Sequence, residues 1–316
     1  MTATVSIIMP TFNRVEYLPA AIASVFAQTF SDWELLIADD GSDADTRSYL
    51  QTLAAPPRIK VMWLPHSGKP SVARNAALRE ARGEYVAFLD SDDVWLPGKL
   101  ETQIVSLRFH AARKWSYTRF ALVDASGEPL TSRAHCGTAP SGWILEKLLT
   151  GETIIALPSV VMSRSFLEQL GAFDEQLVMC EDDELWFRAA AQSEIDGVDA
   201  PLTLIRRHQR HSGSDVIAWR DRRRVFEKLL CTVHDNRLDP LLRRLRAQMS
   251  AGLARSHAAS GDFIGALATI LRSAPHLWRY PKDWLGALGA TARAFVPANV
   301  RSLVRRYLPS HRVHNL

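Results

Sequence analysis

Two short segments of the sequence concentrate acidic side chains, Asp90–Asp93 and Glu181–Glu184. The first places three carboxylates within four residues, and carboxylates this close repel one another unless a cation neutralises them. Mg²⁺ and Mn²⁺ are held by one or two carboxylates and complete their coordination with water and phosphate oxygens. The first segment therefore predicts a divalent metal site that also binds a phosphorylated ligand. A solvated turn that caps a helix before Leu96 would have the same composition.

The second acidic segment opens a helix that the residue pattern predicts over Glu181–Ala191. The N-terminal end of a helix carries a partial positive charge, which favours carboxylates. An ordinary acidic first turn would also look like this, so the segment by itself leaves both a structural and a catalytic interpretation open.

Val5–Met9 is a continuous apolar run that predicts a strand buried on both faces, and Trp33–Ala38 and Tyr85–Leu89 are predicted as further strands. They end in three polar segments: Pro10–Arg14, Asp39–Ser42 and Asp90–Asp93. In an open parallel sheet, ligands bind where the carboxyl ends of neighbouring strands meet. We therefore expect these three segments to form one binding site.

Helical patterns alternate with the apolar runs over the first two hundred residues, which predicts an α/β fold with a mostly parallel sheet and right-handed crossovers. The remaining predicted elements are helices at Tyr17–Phe26, 43–54 and Ser71–Ala81 and strands at Ile59–Leu64, Ser116–Val123, Ser159–Met162 and Leu202–Ile205. Gly83 is expected to end the third helix in the left-handed conformation that glycine favours.

Charge divides the 316-residue chain into an acidic first part and a basic last part. Residues 211–316 contain 18 Lys and Arg against 7 Asp and Glu, whereas residues 1–210 contain 20 against 27. From residue 216 onward only helical patterns occur, interrupted at Pro240, Gly261, Pro275, Pro281 and Pro297. We therefore predict a domain over 1–215 and a basic C-terminal region of several short helices over 216–316.

Several protein classes are not expected from the composition. The three cysteines are few, odd in number and far apart, so neither a zinc site nor a disulfide framework is predicted. No basic segment precedes the first apolar run and no uncharged apolar run is long enough to span a bilayer, which favours a cytoplasmic location. No nucleic-acid-binding module surrounds the basic residues, so nucleic acid is not expected as a partner.

The basic C-terminal region interleaves arginines such as Arg222–Arg224 with Trp219, Trp278 and Trp284. Basic helices with tryptophan and leucine on one side can lie on an anionic membrane surface. Peripheral contact with the inner face of the cell membrane is therefore one interpretation. A helical domain whose arginines are simply solvated is the other.

Four motifs in sequence order resemble glycosyltransferase family 2, the large inverting family with the GT-A (Rossmann-like) fold. They are Val5–Arg14, the Asp-Asp-Gly-Ser of Asp39–Ser42, Ala73–Asn75 and Gly83–Asp93. The resemblance covers about residues 4–212. It implies an enzyme that transfers a sugar from a nucleotide-diphosphate donor, with UDP-sugar favoured, to a glycan or polyprenyl-linked acceptor. The setting it implies is bacterial polysaccharide biosynthesis.

The resemblance also assigns roles to single residues. It gives nucleotide-sugar binding to Pro10, Thr11, Asn13, Arg14, Asp39, Asp40, Arg74, Asp90, Ser91 and Arg206. Asp92, with His208 as a further ligand, would hold Mg²⁺ or Mn²⁺. Asp182 would be the general base that removes the proton of the acceptor hydroxyl, and its neighbour Asp183 stays open as an alternative because four acids follow one another.

Three rival functions are weighed against the glycosyltransferase. A nucleotidyltransferase needs a glycine-rich loop after the first strand to hold triphosphate, and Pro10–Arg14 has no glycine. A phosphatase with an aspartate nucleophile would have its paired aspartates after the first strand, not the fourth. A catalytically silent nucleotide-sugar-binding or scaffold protein of the same fold is the alternative, although the presence of both acidic motifs favours an enzyme.

Overall fold

The computed structural model describes residues 3–53, 58–130, 138–207, 215–277, 279–280 and 284. The chain divides into two compact units, Met1–Ser212 and Gly213–Leu316, and each is considered by itself.

The first unit begins with alternating strands and helices. These are β1 (Val5–Thr11), α1 (Leu18–Phe26), β2 (Trp33–Asp39), α2 (Ala44–Thr52), β3 (Ile59–Trp63), α3 (Pro70–Leu78) and β4 (Tyr85–Phe88). Its second half is less regular. It contains β5 (Val94–Trp95), α4 (Lys99–Phe109), β6 (Trp115–Val123), α5 (Leu145–Thr150), β7 (Val160–Ser163), α6 (Arg164–Leu170), α7 (Glu181–Gln192) and β8 (Ile195–Arg206).

One eight-stranded sheet runs through this unit in the order β3-β2-β1-β4-β7-β6-β8-β5. The pairs among β1 to β4 are parallel, as is β6 with β8, whereas β7 runs antiparallel to both β4 and β6. The predicted α/β fold with a mostly parallel sheet is therefore confirmed. The carboxyl ends of β1, β2 and β4 lie side by side and bring the three polar segments together.

Apolar helices cover both faces of the sheet. On one face, Leu18 and Ile22 of α1 and Leu100 of α4 pack against fully buried side chains of β1 and β2. On the other face, the ring of Phe88 lies edge-on to Phe173 and Trp186, with centroids 5.4 and 6.1 Å away. Because both faces are buried, the central strands are continuous apolar runs, as the sequence predicts.

Gly83 does not cap a helix, so that prediction is wrong. Helix α3 already ends at Leu78, and Gly83 does not adopt a positive φ. A Cβ atom at this position would lie 2.5 Å from the backbone nitrogen of Ser6. Glycine is needed here because the chain passes directly against β1 before β4 begins.

Within residues 215–277, the second unit has three helices of 18, 21 and 15 residues, longer than the short helices expected. They are α8 (Asp215–Thr232), α9 (Asp239–Ala259) and α10 (Phe263–Leu277). Pro240 lies in the first turn of α9, where a missing N–H costs nothing, and Pro275 lies inside α10. None of the helices in the described ranges is long and apolar enough to cross a membrane.

Two tryptophans of the basic region pack against other helical residues and so do not form an exposed apolar side. The Trp219 ring packs against Gly252, where the two helices α8 and α9 approach each other closely. Trp284 is 1% exposed and packs with Ala251, Ala254 and Ile270. Trp278 lies outside the described residues. Among the described residues of this unit, the large apolar side chains that are exposed are Ile264, Leu267 and Leu271, which share one side of α10.

Candidate functional site

A cavity of about 530 Å³ opens at the carboxyl ends of β1, β2 and β4. Its wall contains eight of the predicted site residues: Pro10, Thr11, Arg14, Asp40, Arg74, Asp90, Ser91 and Asp92. The sheet topology explains this convergence, since the three polar segments follow neighbouring parallel strands.

Arg74 joins the two acidic segments at this cavity. Its side chain is 6% exposed, and its guanidinium donates through Nη2 to Asp90 Oδ1 (2.8 Å) and through Nη1 to Glu181 Oε1 (2.7 Å). Burial favours a neutral guanidine, but Asp90 and Glu181 outweigh that effect and raise the pKa of Arg74. A charged guanidinium therefore holds the start of α7 against the turn that follows β4.

Asp182 is the second residue of α7 and is half-buried beside this ion pair. Burial is the main cause that raises the pKa of Asp182 to about 8, and the charges of Asp183 and Glu181 raise it further. The N–H of Asp183 and the charge of Arg74 oppose the shift. Asp183 itself is exposed. Of the two candidate bases, Asp182 therefore has the environment that makes a carboxylate a stronger proton acceptor.

Helix α7 begins at a strained residue. Cys180 precedes Glu181 and has a φ of 63°, in the left-handed region that side chains other than glycine and asparagine seldom adopt. Strained backbone of this kind is found where surrounding contacts fix a functional geometry. Here the contact between Glu181 and Arg74 is one that fixes the first turn of the helix.

The turn after β4 holds its three aspartates in different environments. Asp93 is buried and accepts a hydrogen bond from the backbone N–H of Arg206 (2.8 Å), while burial and then the charges of Asp90 and Asp92 raise its pKa. Asp92 Oδ2 lies 3.5 Å from Arg14 Nε, and its side chain is 22% exposed. Asp90 and Asp92 both line the cavity, and the ion pair of Asp92 with Arg14 is longer than that of Asp90 with Arg74.

The donor set is compatible with one divalent ion. Asp90 pairs with Arg74 and Asp93 accepts a hydrogen bond from Arg206, whereas Asp92 lines the cavity beside Arg14. Within the described ranges, no group of three metal-ligating side chains occurs, and His208 lies outside them. Mg²⁺ often binds through one or two carboxylates with water and phosphate oxygens, so the Asp92 carboxylate at this cavity is chemically compatible with such an ion.

Arg206 acts on the acidic turn and is not among the described residues that line the cavity. Its Nε donates to the carbonyl of Asp92 (3.0 Å), its Nη1 donates to the carbonyl of Ala125 (2.7 Å), and its guanidinium lies over the Tyr17 ring. Arg206 therefore fixes the position of the turn through backbone groups, and the structure does not place it as a direct contact to a diphosphate.

Asp39 and Asp40 have different surroundings. Asp40 borders the cavity and accepts hydrogen bonds from Ser67 N–H and Oγ–H (both 2.8 Å) and from Gly68 N–H (3.0 Å). Asp39 is fully buried, accepts from the N–H of Ser42 and does not border the cavity. Asp40 thus shapes the cavity wall by holding the loop after β3.

Asn13 supports the same wall from the end of β1. Its side-chain oxygen accepts from the N–H of Asp43 (2.7 Å), and its own N–H donates to Ser42 Oγ (2.9 Å). It joins the first two polar segments and is not a lining residue in the part of the chain described here. Thr11 Oγ1, by contrast, is buried at the cavity without a hydrogen-bond partner among the described residues, so it can accept one from a ligand.

Three residues of the cavity wall were not among the predicted site residues. The rings of Phe12 and His66 stack with centroids 4.2 Å apart, and Lys69 Nζ donates to the carbonyl of Glu175 (2.9 Å). His66 and Lys69 lie in a loop whose approach to β1 depends on Asp40, so no local pattern could place them. Phe12 lies within a predicted polar segment, but its stacking partner could not be found from spacing.

The Glycosyl transferase family 2 profile matches residues 6–113, which contain β1 to α4 and the acidic turn. The chain is 34% identical over 195 residues to the UDP-Glc:alpha-D-GlcNAc-diphosphoundecaprenol beta-1,3-glucosyltransferase WfgD of Escherichia coli, a match covering 62% of this chain and 73% of WfgD. The chain belongs to glycosyl transferase family 2.

Other family members differ in length from this chain. An uncharacterized glycosyltransferase of Rickettsia felis is 34% identical over 204 residues, which are 64% of this chain and 33% of that protein. The chain thus spans about a third of the length of this relative. The solved structure of S. aureus TarS 1–349 in complex with UDP-GlcNAc has a TM-score of 0.63 at 22% identity. The match covers 96% of this chain and 84% of the TarS 1–349 chain, which shows a shared fold.

The raised pKa of Asp182 predicts how stability depends on pH. In the unfolded chain an aspartate titrates near pH 4. Because the folded protein disfavours the charged form up to about pH 8, the wild type loses stability as pH rises between these values. We compare the free energy of unfolding of Asp182→Asn with that of the wild type. We expect the difference, variant minus wild type, to be larger at pH 8 than at pH 5 by at least about 1 kcal/mol.

Urea denaturation of the protein without metal or nucleotide measures this difference. Glu16→Gln is the matched control, since Glu16 is an exposed carboxylate and its removal should change stability little at either pH. Parallel pH profiles for the wild type and Asp182→Asn would show that the Asp182 carboxylate is not destabilised by its surroundings.

Proposed function

We propose that this member of glycosyl transferase family 2 transfers a sugar, with inversion, from a nucleotide-diphosphate donor to a glycan or lipid-linked acceptor. The observation that carries the proposal is the double ion pair of Arg74, which joins the turn of Asp92 at the cavity to the first turn of the helix that carries Asp182. Asp182 itself is not among the residues that line the cavity. Inverting transfer needs a donor site and a base that face the same reacting carbon.

A nucleoside diphosphate fits the chemistry of the cavity. Thr11 Oγ1 can accept or donate a hydrogen bond at the end of β1, and Arg14 and Lys69 supply positive charge at the wall. The stacked rings of Phe12 and His66 offer a flat surface for a base. UDP-sugar is our first choice of donor because the structural neighbour TarS has been solved with UDP-GlcNAc.

We infer that Mg²⁺ or Mn²⁺ binds at Asp92 and that His208 supplies a further ligand. When bound, the ion neutralises charge that develops on the diphosphate leaving group. Arg14, 3.5 Å from Asp92, contributes positive charge at the same place. Asp90 stays paired with Arg74 and keeps the turn in position.

Asp182 acts as the general base in this proposal. Its carboxylate takes the proton of the acceptor hydroxyl, the oxygen forms a bond to the anomeric carbon, and the bond from that carbon to the diphosphate oxygen breaks with its electron pair. Burial raises the pKa of Asp182 to about 8, which makes its carboxylate a stronger acceptor for this proton. The rate should therefore rise with pH through the range where Asp182 loses its proton.

Substitution of the two acids tests the proposal. We expect Asp92→Ala and Asp182→Asn each to lower transfer by at least about a hundredfold, because each removes a group that acts in the transition state. Asp92→Ala should also weaken Mn²⁺-dependent nucleotide binding, whereas Asp182→Asn should leave it intact. Released nucleotide is measured with a panel of donors, with and without Mn²⁺.

Asp183→Asn is the matched control, since Asp183 is the exposed neighbour of the base and should retain most activity. Full transfer by either the Asp92 or the Asp182 variant would refute the role given to that residue. Nucleotide binding by the wild type without turnover of any donor would instead favour the catalytically silent alternative.

A lipid-linked acceptor at the inner face of the cell membrane is part of this proposal. The relative WfgD acts, by its name, on an acceptor linked to diphosphoundecaprenol. On α10, Ile264, Leu267 and Leu271 expose 83%, 47% and 64% of their surface along one side of the helix. An apolar stripe in a basic region suits the surface of an anionic membrane, with the rest of the protein in the cytoplasm.

Vesicle sedimentation tests the membrane contact. We expect the full chain to pellet with phosphatidylglycerol vesicles, and Leu271→Glu to reduce the bound fraction several-fold because it puts a charge in the apolar stripe. Val105→Glu, at a 62% exposed position of α4, is the matched control and should bind as the wild type does. A truncation to residues 1–215 should not pellet. Equal sedimentation of all four proteins would contradict the contact.

A further inference from the structure

A second cavity of about 410 Å³ lies at the end of the sheet where β6 and β8 begin. It is formed between α6, the end of α7 and the segments that precede α5 and β6. Asp182 lies at the N-terminal end of α7 and Gln192 at its C-terminal end, about 15 Å apart at the rise of an α-helix. The second cavity is therefore distinct from the cavity at Arg74.

An exposed tryptophan dominates this cavity. Trp143 exposes 64% of its surface and makes no hydrogen bond or ring contact with any residue in the described ranges. Its backbone is nonetheless fixed, since Gly142 and Ile195 exchange two backbone hydrogen bonds of 2.9 and 3.0 Å. The indole is thus exposed at the start of β8, on a backbone segment paired with that strand, without a polar or ring partner among the described residues.

Neutral hydrogen-bonding groups surround the indole. Gln169 Nε2 donates to Gln192 Oε1 at 3.4 Å, which leaves the oxygen of Gln169 and the NH₂ group of Gln192 facing solvent as acceptor and donor. Ser165 adds a hydroxyl, and the buried ring of Phe166 closes the floor. The cavity combines an apolar surface with a rim of groups that both donate and accept.

The charged residues at this cavity offset each other. Glu194 Oε2 lies 3.6 Å from Arg113 Nε, and Lys114 Nζ donates to the carbonyl of Ala111 (3.2 Å). A strongly charged ligand would find no excess of opposite charge here. The site therefore favours a neutral ligand that has one apolar face and many hydroxyl groups at its edge.

We propose that this second cavity binds a neutral saccharide unit, with its C–H face on Trp143 and its hydroxyls on Gln169 and Gln192. A pyranose ring has this division between apolar faces and a polar rim, and a cavity of this volume lies in the usual range for ligand sites. The site holds a part of a glycan remote from the reacting sugar, and saccharide binding here does not depend on the proposed transfer reaction.

Saturation-transfer NMR with three tetrasaccharides, cellotetraose, chitotetraose and laminaritetraose, tests this site on the full chain. We expect binding of at least one by the wild type and roughly tenfold weaker binding by Trp143→Ala, with part of the affinity retained by Trp143→Phe. Phe109→Ala is the matched control, because Phe109 is an 83% exposed aromatic residue outside this cavity. Saturating UDP with Mn²⁺ should leave the signal unchanged.

Absence of saturation transfer to all three tetrasaccharides would overturn the proposal, as would equal binding by the wild type and Trp143→Ala. Loss of the signal when UDP and Mn²⁺ are added would place the saccharide in the cavity at Arg74 and would also overturn it. The readout requires no turnover, so its failure is distinguishable from a failure of the proposed glycosyl transfer.

Discussion

The buried guanidinium of Arg74 is the constraint on which the candidate site depends. A charge with 6% exposure is costly unless it is paired, and Arg74 reaches two carboxylates, Asp90 and Glu181, through separate nitrogens. These carboxylates come from segments 91 residues apart in sequence order, one after β4 and one at the start of α7. Removal of Arg74 would leave both carboxylates without the cation they share, so this guanidinium holds the two segments together.

The pairing of Glu181 with Arg74 leaves Asp182 in an environment that disfavours its charged form. Once Glu181 is used to hold the helix, Asp182 lies beside two other carboxylates in a half-buried position, and its pKa rises because the charged form is poorly solvated there. The left-handed Cys180 adds backbone strain at the same place. Stability is thus lower near Asp182 than an ordinary helix start would give, which is a common property of catalytic carboxylates.

Much of the fold was predictable because the central strands are buried on both faces and so appear as short apolar runs that end in polar segments. The convergence of Pro10–Arg14, Asp39–Ser42 and Asp90–Asp93 follows from that pattern. Long-range contacts were not predictable: Arg206 as a support of the acidic turn is one example. The burial of Lys99 was not predictable either, since a lysine is ordinarily exposed, yet here it is fully buried with its ammonium 4.1 Å from the Trp95 ring centroid, and burial lowers its pKa.

The central claim is that Asp92 and Asp182 serve one reaction site across the ion pair of Arg74. The most direct measurement is a crystal structure of the protein with UDP and Mn²⁺, in which anomalous scattering locates the metal. We expect a manganese peak bound by Asp92 and the diphosphate, with the carboxylate of Asp182 facing the open side of the β-phosphate across the same cavity. A manganese peak away from Asp92, or a nucleotide separated from Asp182 by protein, would contradict the account.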